Sequence, residues 1–300
     1  MRASRVVSTA RGSRAEAFGP LEWGLLAAIA AMWGSSFIFI EVGIESLRPG
    51  LVTLLRVVLG ALALVAVPAA RRPVAREDWP RIALLALVWM ALPLLLFPVA
   101  QQWIDSSLAG MINGAMPLFA ALVYAGLLRH RPGPRQALGL AIGFLGVVLV
   151  SVPAVRGASG TALGVGLVLL ATASYGLAAN LAVPLQQRYG SLPVILRTQA
   201  AALLMVLPFG LAAVPGSRFT WPAALAMVAL GVLSTGVAFV AMATLVGRAG
   251  AARGAVAIYF IPVVATIEGV LIRGEHVAAV SLLGVALVLI GAYLTSRREG

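Results

Sequence analysis

Apolar residues dominate the chain in long runs, and polar residues are confined to the short gaps between them. A run that crosses a hydrocarbon core of ~30 Å needs about 17–25 residues as a helix. Such runs lie at about 22–40, 51–69, 82–100, 108–128, 136–153, 163–184, 192–213, 222–246, 254–272 and 277–295. Pro, Gly and Arg fill the gaps, and no gap is long enough for a soluble domain. The pattern predicts an all-α integral membrane protein of ten transmembrane helices, with its function inside the bundle.

Composition agrees. Of 300 residues, 61% are hydrophobic and 11% charged, with a mean hydropathy of +1.01. A soluble domain carries roughly 25% charged residues. The absence of cysteine excludes disulfides and thiolate metal sites. His130 and His276 stand in short polar gaps and read as solvated loop residues, so neither a metal nor a cofactor is expected.

The net charge of +12 comes from arginine alone among the basic residues. In a soluble protein it would suggest nucleic acid. Here the arginines sit between apolar runs and read as topology signals, with no nucleic-acid partner. With the N-terminus inside, the inner segments hold Arg2, Arg5, Arg11, Arg14, Arg71, Arg72, Arg76, Arg81, Arg129, Arg131, Arg135, Arg188, Arg248, Arg253, Arg297 and Arg298. The outer gaps hold only Arg48, Arg156, Arg218 and Arg273. That bias predicts that both termini are cytoplasmic. A cleaved signal peptide fits less well, because the first run exceeds a typical signal core and cleavage would break the alternation.

The chain also resembles itself. AGMINGAMPLFAALVYAGLL aligns with GAVAIYFIPVVATIEGVLI, placing Pro117 over Pro262 and Ala120 over Ala265. The same offset sets Leu138, Gly139, Ala141, Gly146, Leu149 and Ser151 over Leu283, Gly284, Ala286, Gly291, Leu294 and Ser296. Trp33-Gly34 corresponds to Tyr175-Gly176, and Arg56 to Arg197 with a one-residue slip. The expected organisation is an Arg-rich tail (1–20), a first five-helix repeat (21–153), a second (161–296) and a short tail (297–300). Five is odd, so the second repeat enters the membrane from the opposite side. Inverted repeats of this kind are typical of secondary transporters, with a site near the midplane.

WGSSFIFI (33–40), RPGLVTLLR (48–56), SLAGMINGAMPLFAAL (107–122), LGLAIGFLGVVLVS (138–151), LSTGVAFVAMA (233–243) and YFIPVVATIEGVLIRGE (259–275) together resemble the drug/metabolite transporter superfamily, in particular its EamA-type members. The resemblance spans about 22–296. It implies a ten-helix inverted-repeat fold in a bacterial inner membrane and export of small metabolites, amino acids or drugs. The family often has a Glu after the fourth helix and another after the ninth. Glu275 fits the second, whereas Arg129-His130 stand at the first.

Candidate site residues follow from polarity placed mid-span. Gly34 allows close helix approach, and Trp33, Ser35 and Ser36 are read as cavity-lining, with tight packing as the alternative. Tyr175 and Asn180 lie at about the corresponding level of helix 6. Pro117 and Pro262 break helices 4 and 9, which frees carbonyls that must face protein or water. Asn113 precedes the first break and Tyr259 the second. The cavity is expected between helices 1, 3, 4, 6, 8 and 9, with Gln101, Gln102 and Trp103 at its outer mouth.

Ionisable residues within spans need separate reasons. Glu268 is the candidate for proton coupling. Arg56 is expected to pair with Glu41 or Glu45, and Arg197 to snorkel or join an ion pair. Glycines on helices 5 and 10 either brace the bundle or form a homodimer face. The predicted partners are a small solute, the bilayer and protons. Hydroxyls, amides and aromatics suit a zwitterionic or aromatic solute, and an anionic nucleotide sugar would want more buried cations. Uptake or exchange without ion coupling is the alternative within the class. A membrane enzyme lacks a nucleophile–base set or acidic cluster, and a sensor lacks an output domain.

Overall fold

The computed structural model describes residues 19–127, 133–155, 159–249 and 256–296. The N-terminal arginines, Arg129, His130, Arg131, Arg156, Arg253, Arg297 and Arg298 lie outside the described residues.

Among those residues the fold is helical, without strands. Seven helical stretches are long and apolar enough to cross a membrane: Pro20–Ile44, Arg76–Ala100, Ser106–Gly126, Thr161–Tyr189, Ser191–Gly216, Trp221–Ala249 and Val256–Arg273. Three shorter apolar helices, Pro49–Val65, Ala137–Val150 and Ala279–Leu294, accompany them. Large apolar side chains point outward all over the bundle, with Leu271 78% and Leu204 73% exposed. Such an exterior suits lipid rather than water.

Several stretches are interrupted. The first is α1 (Pro20–Gly34) followed by α2 (Ser36–Ile44). At that junction side chains occupy backbone carbonyls: Ser35 Oγ donates to Ala31 O, Ser36 Oγ to Trp33 O, and Gln101 Nε2 to Phe37 O. α3 is Pro49–Val65. The third stretch is α4 (Trp79–Leu85), a π-helical turn (Ala86–Ala91) and α5 (Leu92–Ala100). The fourth is α6 (Ser106–Asn113) and α7 (Met116–Leu127), with Pro117 the second residue of α7. α8 (Pro134–Val155), α9 (Ser159–Tyr189) and α10 (Ser191–Ala213) follow. The next stretch is α11 (Trp221–Val228), a second π-helical turn (Ala229–Val237) and α12 (Ala238–Ala249). α13 (Val256–Tyr259) is separated at Phe260 from α14 (Ile261–Arg273), in which Pro262 is again the second residue. α15 is Ala279–Ser296.

Glycines let these helices touch. A Cβ on Gly114, between α6 and α7, would strike Pro262, and one on Gly110 would strike Ala265. The two helix breaks therefore meet each other. Gly34 lies against Val264, bringing the α1–α2 junction to the same place. On α8 and α15, Gly146 faces Gly284 and Gly143 faces Gly291, backbone against backbone. These glycines join two helices of one chain, so packing within the chain accounts for them.

Added volume there has nowhere to go, and overpacking costs roughly 1–3 kcal/mol or more. Gly291→Leu is expected to lower the thermal unfolding midpoint of detergent-purified protein. Gly166→Leu, at a position with nothing within 4 Å, is expected to leave it unchanged.

Ion pairs gather at the two ends of the bundle. At one end Arg188 reaches Glu77 (2.6 Å) and Asp78 (2.7 Å), Arg248 reaches Glu22 (2.7 Å), and Arg197 donates to the carbonyls of Ala70, Arg71 and Arg72. At the other, Arg273 reaches Glu41 (2.9 Å) and Glu45 (2.6 Å). There Glu275 Oε2 also accepts from the Ser107 N–H (2.9 Å), and Oε1 from the Ser106 N–H (3.1 Å) and hydroxyl. Asp105, at the N-cap of α6, makes no cap bond of its own, so Glu275 caps that helix from across the bundle.

Candidate functional site

A cavity of about 340 Å³ lies in the middle of the bundle. Its wall is largely aromatic. Trp33 meets Phe239 edge to face, Phe239 meets Trp89, Phe37 meets Phe97, and Phe97 stacks on Tyr175. The polar lining is Ser36, Arg56, Asn113, Gln186, Ser191, Ser234 and Thr235. From Ile40 the cavity runs to Gln186, Ser191 and Val246, which neighbour Arg188 and Arg248. It thus reaches the arginine-rich end. At the opposite end the Arg273 and Glu275 contacts form a clasp.

The π-helical turns shape this wall. Widening a helix by one residue displaces side chains and frees carbonyls, a feature frequent at functional sites. The first turn carries Trp89 and Met90 into the cavity, and Ser174 Oγ donates to its Val88 carbonyl (2.7 Å). The second carries Ser234 and Thr235. It packs tightly on α3, with Gly60 against Thr235 and Gly231 against Leu59. That contact brings Thr235 Oγ1 to Arg56 Nε (3.0 Å), while the hydroxyl donates to Leu230 O (2.9 Å).

Of the residues singled out in the sequence, Trp33, Ser36, Asn113 and Tyr175 line the cavity. Four others do not. Ser35 donates to Ala31 O and Glu268 Oε1. Asn180 Nδ2 donates to the Ala120 and Gly176 carbonyls, tying α9 to α7. Tyr259 points its hydroxyl at Ala292 O on α15. Gln102, in the turn after α5, is exposed near the clasp and bonds the carbonyl of Val99. Ser35, Asn180 and Tyr259 were read by their level along a helix, and azimuth turned them into helix contacts instead, whereas Gln102, expected at the outer mouth, bonds its own neighbouring backbone.

Three further expectations are corrected. Arg56 does not pair with Glu41 or Glu45, because Arg273 holds both carboxylates. Arg197 joins no carboxylate among the described residues and donates to three backbone carbonyls, which removes the ion pair and leaves the snorkelling alternative standing. The lining also includes α3 and α10, through Arg56 and Ile195, in addition to the helices expected. Trp89, Phe97 and Phe239 were missed. Tryptophan favours membrane interfaces, so Trp89 in mid-span was the available signal.

Glu268 lies outside the cavity lining, between α14 and the α1–α2 junction. Its Oε1 is 2.6 Å from Ser35 Oγ, and its Oε2 is buried without a partner. Ser35 has one proton and two acceptors in reach, Ala31 O and Glu268. The hydroxyl shares its proton between them when the carboxylate is charged, and protonating the carboxyl would let it donate to Ser35 instead.

Two groups at the clasp end shift in opposite directions. Burial pushes Glu275 up, but the hydrogen bonds from Ser106 and Ser107 outweigh it and hold its carboxyl below the ordinary value. Burial pushes Asp105 up, and the neighbouring Glu275 charge adds to that. A carboxylate with a lowered folded value stabilises above the ordinary glutamate range and loses that effect as pH falls through the folded value. Glu275→Gln is therefore expected to be less stable than wild type at neutral pH, with the difference vanishing on acidification; thermal unfolding against pH checks it.

The EamA-like transporter family matches residues 22–152 and again 162–297. The chain belongs to this family. Among relatives of this EamA-family chain, an uncharacterized transporter of Archaeoglobus fulgidus is 24% identical, over 93% of this chain and 99% of its own length. A probable terminal-alkyne amino-acid exporter of Streptantibioticus cattleyicolor is 30% identical, over 92% of this chain and 93% of its own. A probable amino-acid metabolite efflux pump of Escherichia coli is 25% identical, over 89% and 91%. A crystal structure with a TM-score of 0.61 and 19% identity covers 91% of this chain and 96% of its own, a likeness of fold. The protein is thus a membrane transporter.

Proposed function

We propose that the chain is a secondary transporter exporting a small metabolite, an amino acid or an amino-acid-like or drug-like solute, across the inner membrane by alternating access. All ten apolar helices cross the bilayer, as two inverted five-helix repeats with both termini in the cytoplasm. The observation that carries the reading is the central cavity, whose lining extends to the arginine-rich end and includes no residue of the Arg273 clasp at the other. A solute site open to one side only is half of an alternating-access cycle.

Paired features support the repeat. The family matches twice in tandem. The π-helical turns fall in the third stretch and its counterpart, the eighth, and the proline-led breaks in the fourth and ninth. Export, rather than uptake, rests on the names of the relatives.

The absence of native cysteine makes a topology test clean. Cysteine introduced at Ser191 is expected to react with an impermeant maleimide in inside-out vesicles and not in right-side-out ones. The reverse pattern would contradict the orientation and the direction of opening.

A further inference from the structure

Arg56 is the charged group of the cavity lining, and among the described residues no carboxylate pairs with it. It is 7% exposed, within α3. The described acidic residues around it are committed elsewhere: Glu41 and Glu45 to Arg273, Glu268 to Ser35, and Glu275 to Ser106 and Ser107. Those at the arginine-rich end hold Arg188 and Arg248. A buried cation without a counter-charge is costly at membrane depth, so it should face water or a ligand.

Its geometry separates holding from binding. The Thr235 hydroxyl spends its proton on Leu230 O, so its oxygen is free to accept from Arg56 Nε. That bond fixes the plane of the guanidinium. The two terminal nitrogens have no acceptor among the described residues, which leaves the paired donors that match a carboxylate. In the same lining, Asn113 Oδ1 and Ser234 Oγ are buried without partners. A few convergent polar groups in an otherwise apolar wall are the ordinary form of a small-molecule site.

We infer that Arg56 is the carboxylate-binding residue, and that the cavity takes a solute with one carboxylate on an apolar or aromatic body. A second carboxylate or a phosphate would lie unpaired against the aromatic wall, and a net cation would meet Arg56. Asn113 and Ser234 then accept from a donor near that carboxylate, such as an ammonium. The inference deepens the transport reading and rests on it for the word solute, but its test is binding alone.

The test is ligand-induced thermal stabilisation of the full chain in detergent. The probes are phenylalanine, 3-phenylpropionate, phenylalaninamide, phenethylamine and phenylsuccinate. Wild type is expected to bind one or both monocarboxylates about a hundredfold more tightly than the amide, amine or dicarboxylate, the scale of losing a partner from a buried hydrogen-bonded charge pair. Arg56→Gln is expected to remove the discrimination and Arg56→Lys to keep part of it. Wild type decides the matter even if a variant fails to fold. Equal binding of acid and amide, preference for the amine, no binding of either monocarboxylate, or undiminished discrimination in Arg56→Gln would overturn the inference. Flux of uncharged solutes through such a protein would leave the transport reading intact. Carboxylate binding without flux of any bound probe would sink transport and keep the site.

Discussion

Arg273→Ala is expected to open the clasp end, and Arg273→Glu to open it further. Arg273 holds Glu41 and Glu45 at once and links the helix after the second break to the first stretch of the chain. Its side chain is 30% exposed and that of Glu41 is 19% exposed, so water screens the pair only in part. An exposed pair is worth roughly 0–1 kcal/mol, and a two-armed, half-buried one about 1–2 kcal/mol. Between two states that differ by a few kcal/mol, that shift changes the minor population about 5–30-fold. Ile40→Cys reports it directly, because Ile40 is fully buried and lines the cavity next to the clasp. Its labelling rate from the outer face should rise by about that factor in Arg273→Ala. Restoring the charges in reverse, with Arg273→Glu and Glu41→Arg, should bring the rate part of the way back. An unchanged rate in all three variants would mean that packing, not the clasp, keeps this end shut.

The second large effect is expected at Glu268. A proton on its carboxyl would let it donate to Ser35 while Ser35 donates to Ala31 O, and it sits where α14 passes the α1–α2 junction. A proton site at a moving helix contact can couple a pH gradient to the exchange of states. Glu268→Gln keeps the donor toward Ser35 and cannot release it. The variant should lose the dependence of flux on a pH gradient while retaining exchange of solute without one. If flux in wild type ignores pH, or the variant still follows it, protons are carried elsewhere or not at all.

How much of this was legible differs by level. Apolar runs bounded by arginine, Pro and Gly are a one-dimensional signal, so apolar helices could be located, with ends shifted by a few residues: the run at 51–69 is α3 at Pro49–Val65. Pro117 and Pro262 each stand second in a new helix, where a ring without an N–H costs no hydrogen bond, whereas Pro98, Pro184 and Pro208 sit inside α5, α9 and α10, so proline alone did not mark the breaks. The azimuth of a residue around its helix was not legible. Ser35 and Ser36 are adjacent, yet one faces Glu268 and the other lines the cavity. Hydrophobic periodicity settles azimuth when one face is wet, and here lipid and core are both apolar. Arg56 failed for a related reason. Glu41 and Glu45 looked available in sequence, and only the fold brings Arg273 to them first. The π-helical turns left no composition signal, although they place Trp89 and Thr235 in the wall.

The most direct measurement is transport by purified protein in proteoliposomes loaded with a labelled amino-acid and metabolite pool. The expected result is saturable, protein-dependent flux of at least one solute, accelerated by a pH gradient in wild type and not in Glu268→Gln. Flux indifferent to pH and to Glu268 would keep the transporter and replace coupling with downhill facilitation. Chemical conversion of a lipid or solute with no flux of any member of the pool would contradict the central claim.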